Sequence, residues 1–158
     1  MGAQQSLLLQ PSEVMTRLGI RHATILNDLG VYLPRVLLPS TGQQRDTRYC
    51  ASSVGKFVEY VFIQQPGVGV VSARAFAKTP EAIKAANGFC NQFEAALTDA
   101  ANEDGIGVES LAELLRVHHN SVRRWCLSYT TTSTRKHVMS VETVMDACQI
   151  LPPGTCRS

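Results

Sequence analysis

The sequence predicts a mainly α-helical fold with small β-hairpin wings: two similar units joined by a helical linker. Three observations predict it. Apolar residues recur at helical spacing in the 12–29 and 111–125 segments. Those two segments match each other at a constant offset. Between them, Thr79-Pro80-Glu81 opens an Ala-rich stretch with a capping hydroxyl, a first-turn proline and an acid.

In the first unit, Ser12 is the expected cap of a short helix, Glu13 to Leu18, with Val14, Met15 and Leu18 facing inward. Pro11 stops regular structure before it, and Leu7 to Leu9 are expected to be pinned to the same core. Gly19 supplies a tight turn and Ile20 returns to the core. A second helix, His22 to Leu29, is expected to pack through Ile25 and Leu29. Two short helices joined by a Gly turn form a helix-turn-helix, whose second helix enters a DNA major groove. After a turn at 30–34, Arg35 to Leu38 reads as a strand. Ser40 to Asp46 is then a polar hairpin tip, and Thr47 to Tyr49 the return strand. Ser53 is the expected cap of a helix from Val54 towards Gln65, with Phe57, Val58, Val61 and Phe62 at helical spacing. This order makes a winged helix-turn-helix, expected to span residues 1–66.

The same residues carry a family resemblance. An apolar pair, Pro11, Glu13-Val14, Leu18-Gly19-Ile20, a Thr24-Ile25 helix, Leu33-Pro34, a polar wing, Arg48-Tyr49 and a final helix follow in order. Residues 7–63 thereby resemble the excisionase and AlpA-like regulators of phages and mobile elements, related to the DNA-binding domain of MerR proteins. The resemblance implies a winged helix-turn-helix fold and duplex DNA as partner. The family usually has Ser or Asp before the recognition helix, where this chain has Arg21.

Pro66-Gly67-Val68-Gly69 breaks the chain. Residues 67–104 are the expected linker and candidate dimer surface, with Val70-Val71 a short strand or plain connector. The helix from Thr79 is expected to reach about Ala101, with Ile83, Phe89 or Phe93, and Leu97 on its apolar side. Residues 105–158 form the expected second unit. At an offset of 97, Val14 falls on Leu111, Leu18 on Leu115, Ile20 on Val117, Thr24 on Ser121 and Ile25 on Val122. Arg116 replaces Gly19, which implies a looser or differently shaped turn. Ser128 to Lys136 reads as a second wing tip and His137 to Met139 as its return strand. Ser140 is the expected cap of a helix from Val141 to Ile150.

Composition sets the function class. Apolar residues make up 44% and charged residues 18%, as in ordinary globular chains and unlike disordered ones. No apolar run is long enough to span a membrane, and Met1 to Gln10 lacks the basic and apolar regions of a signal peptide. The expected location is the cytoplasm, in association with the nucleoid. Cys50, Cys90, Cys126, Cys148 and Cys156 are odd in number with no CxxC pair, which points to reduced thiols. Cys126, Cys148, His118 and His119 have zinc-ligand chemistry but not its usual spacing. No metal or other cofactor is expected.

The net charge is only +2, but its placement is informative. Positive residues stand at 17, 21, 35, 45, 48 and 56, and again at 116, 123, 124, 135, 136 and 157. The 61–103 segment between them is slightly acidic. In the first recognition helix the expected DNA-facing stripe is Arg21, His22, Ala23, Leu26 and Asn27, with Thr24 towards phosphate. In the second it is His118, His119, Asn120, Arg123 and Arg124, with Ser121 towards phosphate. Arg bonds guanine's O6 and N7 together, and Asn does the same with adenine's N6 and N7. Arg45 and Arg48 in one wing, and Arg135 and Lys136 in the other, are the candidate backbone or minor-groove contacts. Plainer readings stand beside these. Arg123-Arg124 and Asn27 also suit a solvated face, His118-His119 a helix cap, Trp125 the core, and Thr130 to Thr134 a loop.

The sequence shows no Gly-rich phosphate loop, HExxH or recognisable nucleophile triad, so no enzyme is expected. The expected function is sequence-specific double-stranded DNA binding by a transcriptional regulator, a repressor of a phage, plasmid or integrated element. It would act as a monomer or homodimer, with recombinase or RNA polymerase as candidate protein contacts. The alternatives are an excisionase-like DNA-bending factor and the DNA-recognition subunit of a phage packaging machine.

Overall fold

Pro11 is the first residue of the first helix and not a barrier ahead of it. A proline fits there because a helix's first N–H has no internal partner and the ring fixes a helical φ. The computed structural model describes residues 6–39, 46–67, 69–129 and 138–154, and it is mainly helical with two small antiparallel sheets. Strand β1 (Leu8–Leu9) leads into α1 (Pro11–Leu18). Gln10, and not Ser12, stands at the cap: the Glu13 carboxylate accepts its backbone N–H at 3.0 Å, half of a capping box. Helix α2 (Ala23–Gly30) follows, then β2 (Arg35–Leu37) and β3 (Thr47–Cys50). Helix α3 (Ala51–Glu59) starts three residues earlier than expected, which puts Ser53 in its buried first turn and not at its cap. It continues as a π turn over Tyr60–Gln64. Val61 stays on the buried stripe of Val54 and Phe57, and Phe62 lies off it, 53% exposed.

A 3-10 turn (Val70–Ser72) and α4 (Ala73–Ala77) occupy the stretch expected to be a connector. The long helix α5 (Pro80–Ala100) starts as expected, with Thr79 Oγ1 accepting the Ala82 N–H at 3.3 Å. Next come β4 (Ile106–Gly107), α6 (Val108–Leu115), α7 (His119–Tyr129) and β5 (Val138–Met139). Ser140 caps α8 (Val141–Ala147) through the Thr143 N–H at 3.1 Å. That helix stops short of the expected end. Gln149–Leu151 instead forms β6, which pairs antiparallel with β2. The larger sheet therefore runs β1-β3-β2-β6, and β4 pairs with β5 in the smaller one.

Side chains on successive strand residues point to opposite faces, and the larger sheet uses both. Leu9 and Tyr49 face a core made by α1, α2, α3 and α4, with Leu26, Leu29, Phe57 and Phe76. Leu8, Val36 and Cys50 face a second core made by α5 to α8, with Phe93, Leu111, Trp125 and Val144. This second core runs across the expected 104/105 boundary. Helix α5 joins the two cores, placing Ala82 in the first and Phe89, Phe93 and Leu97 in the second. Ile83, expected inside, is 48% exposed.

The internal repeat is clear in the backbone, but its offset changes along the chain. Helices α1 and α6 match at 97, and so do the turns that end them. Gly19 has φ 69 and ψ 28, and Arg116 has φ 61 and ψ 45. Ile20 N–H bonds Met15 O at 2.9 Å, as Val117 N–H bonds Ala112 O at 3.0 Å. The turn at Arg116 thus keeps the glycine shape, contrary to expectation. Helix α7 then begins one residue sooner than α2 does, so Leu26 matches Val122 and Leu29 matches Trp125 at 96. A constant offset of 97 pairs the wrong residue with Val122. Leu26, expected on the DNA-facing stripe, is 2% exposed, and Ile25, expected in the core, is 40% exposed.

Gly105 has φ 124, and a Cβ there would stand 2.8 Å from Met139 O. Gly19 has φ 69 and open space around it. Gly105→Ala is expected to cost roughly 1–3 kcal/mol of unfolding free energy in urea titration, and Gly19→Ala only about 1.

Candidate nucleic-acid interface

The outer face of α2 is set by which positions it buries. Leu26 and Leu29 turn inward, which leaves Arg21, His22, Thr24, Ile25, Asn27 and Asp28 exposed. The expected Arg21, His22, Thr24 and Asn27 are thus presented together, but with an apolar Ile25 and a carboxylate among them. Asp28 offsets the charge of Arg21, so this face is close to neutral.

Helix α7 differs. Val122, Trp125 and Cys126 are buried, and the Trp125 ring belongs to the core. His118, His119, Asn120, Arg123 and Arg124 are all exposed, and Ser121 is half-buried. The helix contains no Asp or Glu. Its polar side chains hold one another in place. Arg123 Nη1 donates to Asn120 Oδ1 at 3.1 Å, and Arg124 Nη2 to Ser121 Oγ at 3.2 Å. His118 Nδ1 accepts the Asn120 backbone N–H at 3.1 Å, so His118 acts as a cap. The His118 and His119 rings lie 4.1 Å apart, centre to centre. The result is a cationic helix face whose side chains are partly ordered before any contact is made.

Arg48 is not on a wing surface. It is 6% exposed and reaches from β3 to the C-terminal end of α6. Its Nε donates to Leu115 O at 3.1 Å, Nη2 to Arg116 O at 3.0 Å and Nη1 to Thr47 O at 3.0 Å. Burial pushes its pKa below the ordinary value, against the opposing pull of Asp46, but a guanidinium keeps its proton at any ordinary pH. The reason for the misplacement is strand parity. Arg48 alternates with Thr47 and Tyr49, and its side faces the second helix pair, not solvent. Arg45, Arg135, Lys136 and the Thr130 to Thr134 tract lie outside the described residues.

Around Arg48, sequence reasoning missed a cluster between the two helix pairs. Gln10 Nε2 donates to Arg116 O at 2.9 Å, and Arg116 Nη2 pairs with Glu13 Oε2 at 2.9 Å. An open cleft of about 420 Å³ lies alongside, lined by Arg48, Arg116, His118 and Ser121 together with Asp46 and Glu113. One signal in the sequence marked it. Arg116 stands where the first repeat has glycine, in a left-handed conformation that costs a non-glycine residue roughly 1 kcal/mol. The ion pair explains why an arginine is there. Burial raises the Glu13 pKa, but the Gln10 N–H, Arg116 and Arg17 outweigh it and hold it below the ordinary value of 4.5.

Among the described residues no three His, Cys, Asp or Glu side chains converge as metal ligands, and no helix is long and apolar enough to cross a membrane. No family model, curated protein or solved structure matches this chain.

A carboxyl whose folded pKa is lowered stabilises the fold above its unfolded pKa and loses that contribution as pH falls through the folded value. Glu13→Gln keeps the capping acceptor and removes the charge. The wild-type urea midpoint should therefore exceed that of the variant at pH 7, and the gap should close below the ordinary value of 4.5. Arg48→Met keeps the apolar stem but leaves the Leu115 and Arg116 carbonyls without these donors. It is expected to cost roughly 2–4 kcal/mol in the same assay.

Proposed function

We propose that the chain is a sequence-specific double-stranded DNA-binding regulator, a repressor of a phage, plasmid or integrated element. In this reading both helix pairs are winged helix-turn-helix units, and α7 is the stronger reader. The observation that carries it is the outer face of α7: Asn120, Arg123 and Arg124 exposed side by side on a helix without a carboxylate. Arg123 and Asn120 have the donor and acceptor patterns that read guanine and adenine in the major groove. Arg124 and Ser121 suit phosphate, whose neutralisation releases counterions and supplies most of the affinity. The near-neutral face of α2 makes the first unit a weaker, supporting reader through Arg21, Thr24 and Asn27. Two linked weak readers gain affinity by effective concentration.

A second reading keeps DNA binding and changes the task. The Arg48, Gln10 and Arg116 contacts fix one helix pair against the other, which favours a factor that imposes a set geometry on the duplex. That is the requirement for an excisionase-like bending factor or a packaging subunit. A gel-based bending assay on selected sites separates the two: a repressor leaves the duplex nearly straight, and a bending factor does not.

Selection of bound sites from random duplex DNA, at moderate salt, tests the proposal. Arg123→Ala should lose discrimination at particular base pairs by roughly 1–3 kcal/mol each, and Arg21→Ala by less. Arg124→Ala should weaken all sequences alike and reduce the salt slope by about 1. Recovery of no duplex at all in the selection would sink the reading.

A further inference from the structure

A recess of about 250 Å³ lies between the turn after α2, the first turn of α3, α4, α5 and the segment after β6. Pro34, Phe76 and Ala82 form its buried floor, together with Ser53. Ser53 is 1% exposed, and its Oγ has no hydrogen-bond partner among the described residues. Among the described residues no charged side chain lines the recess. Tyr32, Ala86 and Pro153 make the half-buried walls.

We propose that this recess binds a small neutral aromatic molecule carrying one hydrogen-bonding group, such as a hydroxyl or a ring N–H. Its size falls between an apolar cavity of about 150 Å³ that holds benzene and the 300–1,000 Å³ of drug-sized pockets. A single benzenoid or indole-sized ring is the class that fits. The apolar floor supplies the affinity, and the Ser53 hydroxyl the orientation, because an unmatched buried hydroxyl is a standing cost that a ligand's polar group removes. The described lining offers a carboxylate or an amine no counter-charge for the hydration it would lose, which favours a neutral ring. The site also has a structural consequence. Gly154 N–H donates to Val31 O, so the segment after β6 already rests on the turn that leaves α2. A ring between Pro153, α5 and Tyr32 would tighten that junction. The proposal does not depend on DNA binding.

The test is a titration of the full chain with phenol and indole, and with benzoate as the charged comparison, followed by amide chemical shifts in a 15N–1H spectrum. Saturable shifts at Ser53, Ala77 and Ala86 are expected with phenol or indole and not with benzoate. Ala86→Trp should fill the recess and remove them; Ala77→Phe, from α4, is a second blocker should the first misfold. Ser53→Ala should weaken phenol by about 3- to 10-fold without lowering Tm. The proposal is overturned by no saturable shift, by benzoate binding as tightly, by shifts that survive a folded blocker, or by unchanged affinity in Ser53→Ala. It is overturned also if a chain ending at Gly154 binds phenol tenfold more tightly, since residues 155–158 would then be the occupant.

Discussion

A buried guanidinium at the end of a helix holds this structure together. The C-terminal carbonyls of α6 have no partners within their own helix and carry the negative end of its dipole. Arg48 comes from β3 of the larger sheet to satisfy Leu115 O and Arg116 O, and Gln10 shares the latter. Arginine suits the position because its planar fork meets two carbonyls at once and stays charged when buried. The Glu13–Arg116 pair closes the ring of contacts from the solvent side. Its exposed half is screened, so it contributes less than the buried half. The two helix pairs are therefore not beads on a string. They share a cap, a sheet with both faces buried, and a helix that enters both cores.

Much of this fold can be read from local patterns. The Thr79-Pro80-Glu81 start, the Ser140 cap, the pairing of β2 with β3 and the apolar faces of α6 and α7 all follow from residue type and spacing. The errors share a cause. Helix phase is set by where the helix begins, and one residue fewer in the second turn moves the apolar stripe by about 100°. That single step exchanged Ile25 and Leu26. Arg48 could not be placed by pattern at all, because a charged residue on a strand reads as solvent-facing unless its distant partner is known. Strand β6 was hidden for a similar reason: its partner, β2, lies more than a hundred residues earlier in the chain.

The two outer faces also differ in how legible they were. On α7 the expected residues are exposed together, since Val122 and Trp125 fix the phase unambiguously. On α2 the phase error added an apolar side chain to the stripe and moved Leu26 off it. The hydrogen bonds from Arg123 to Asn120 and from Arg124 to Ser121 span three residues each, one helical turn. Such pairs lower the entropy lost when a partner fixes these side chains, so the face is preorganised for whatever it meets.

Strand β6 also bears on how the molecule is made. Its antiparallel match with β2 joins residues 35–37 to residues 149–151. During synthesis the sheet of β1, β3 and β2 therefore emerges with the β2 edge bare, and it stays bare until residues 149–151 have left the ribosome. An open strand edge recruits neighbouring chains. The nascent chain thus passes through a long interval in which the edge at residues 35–37 is open to neighbours, and the arrival of residues 149–151 ends it.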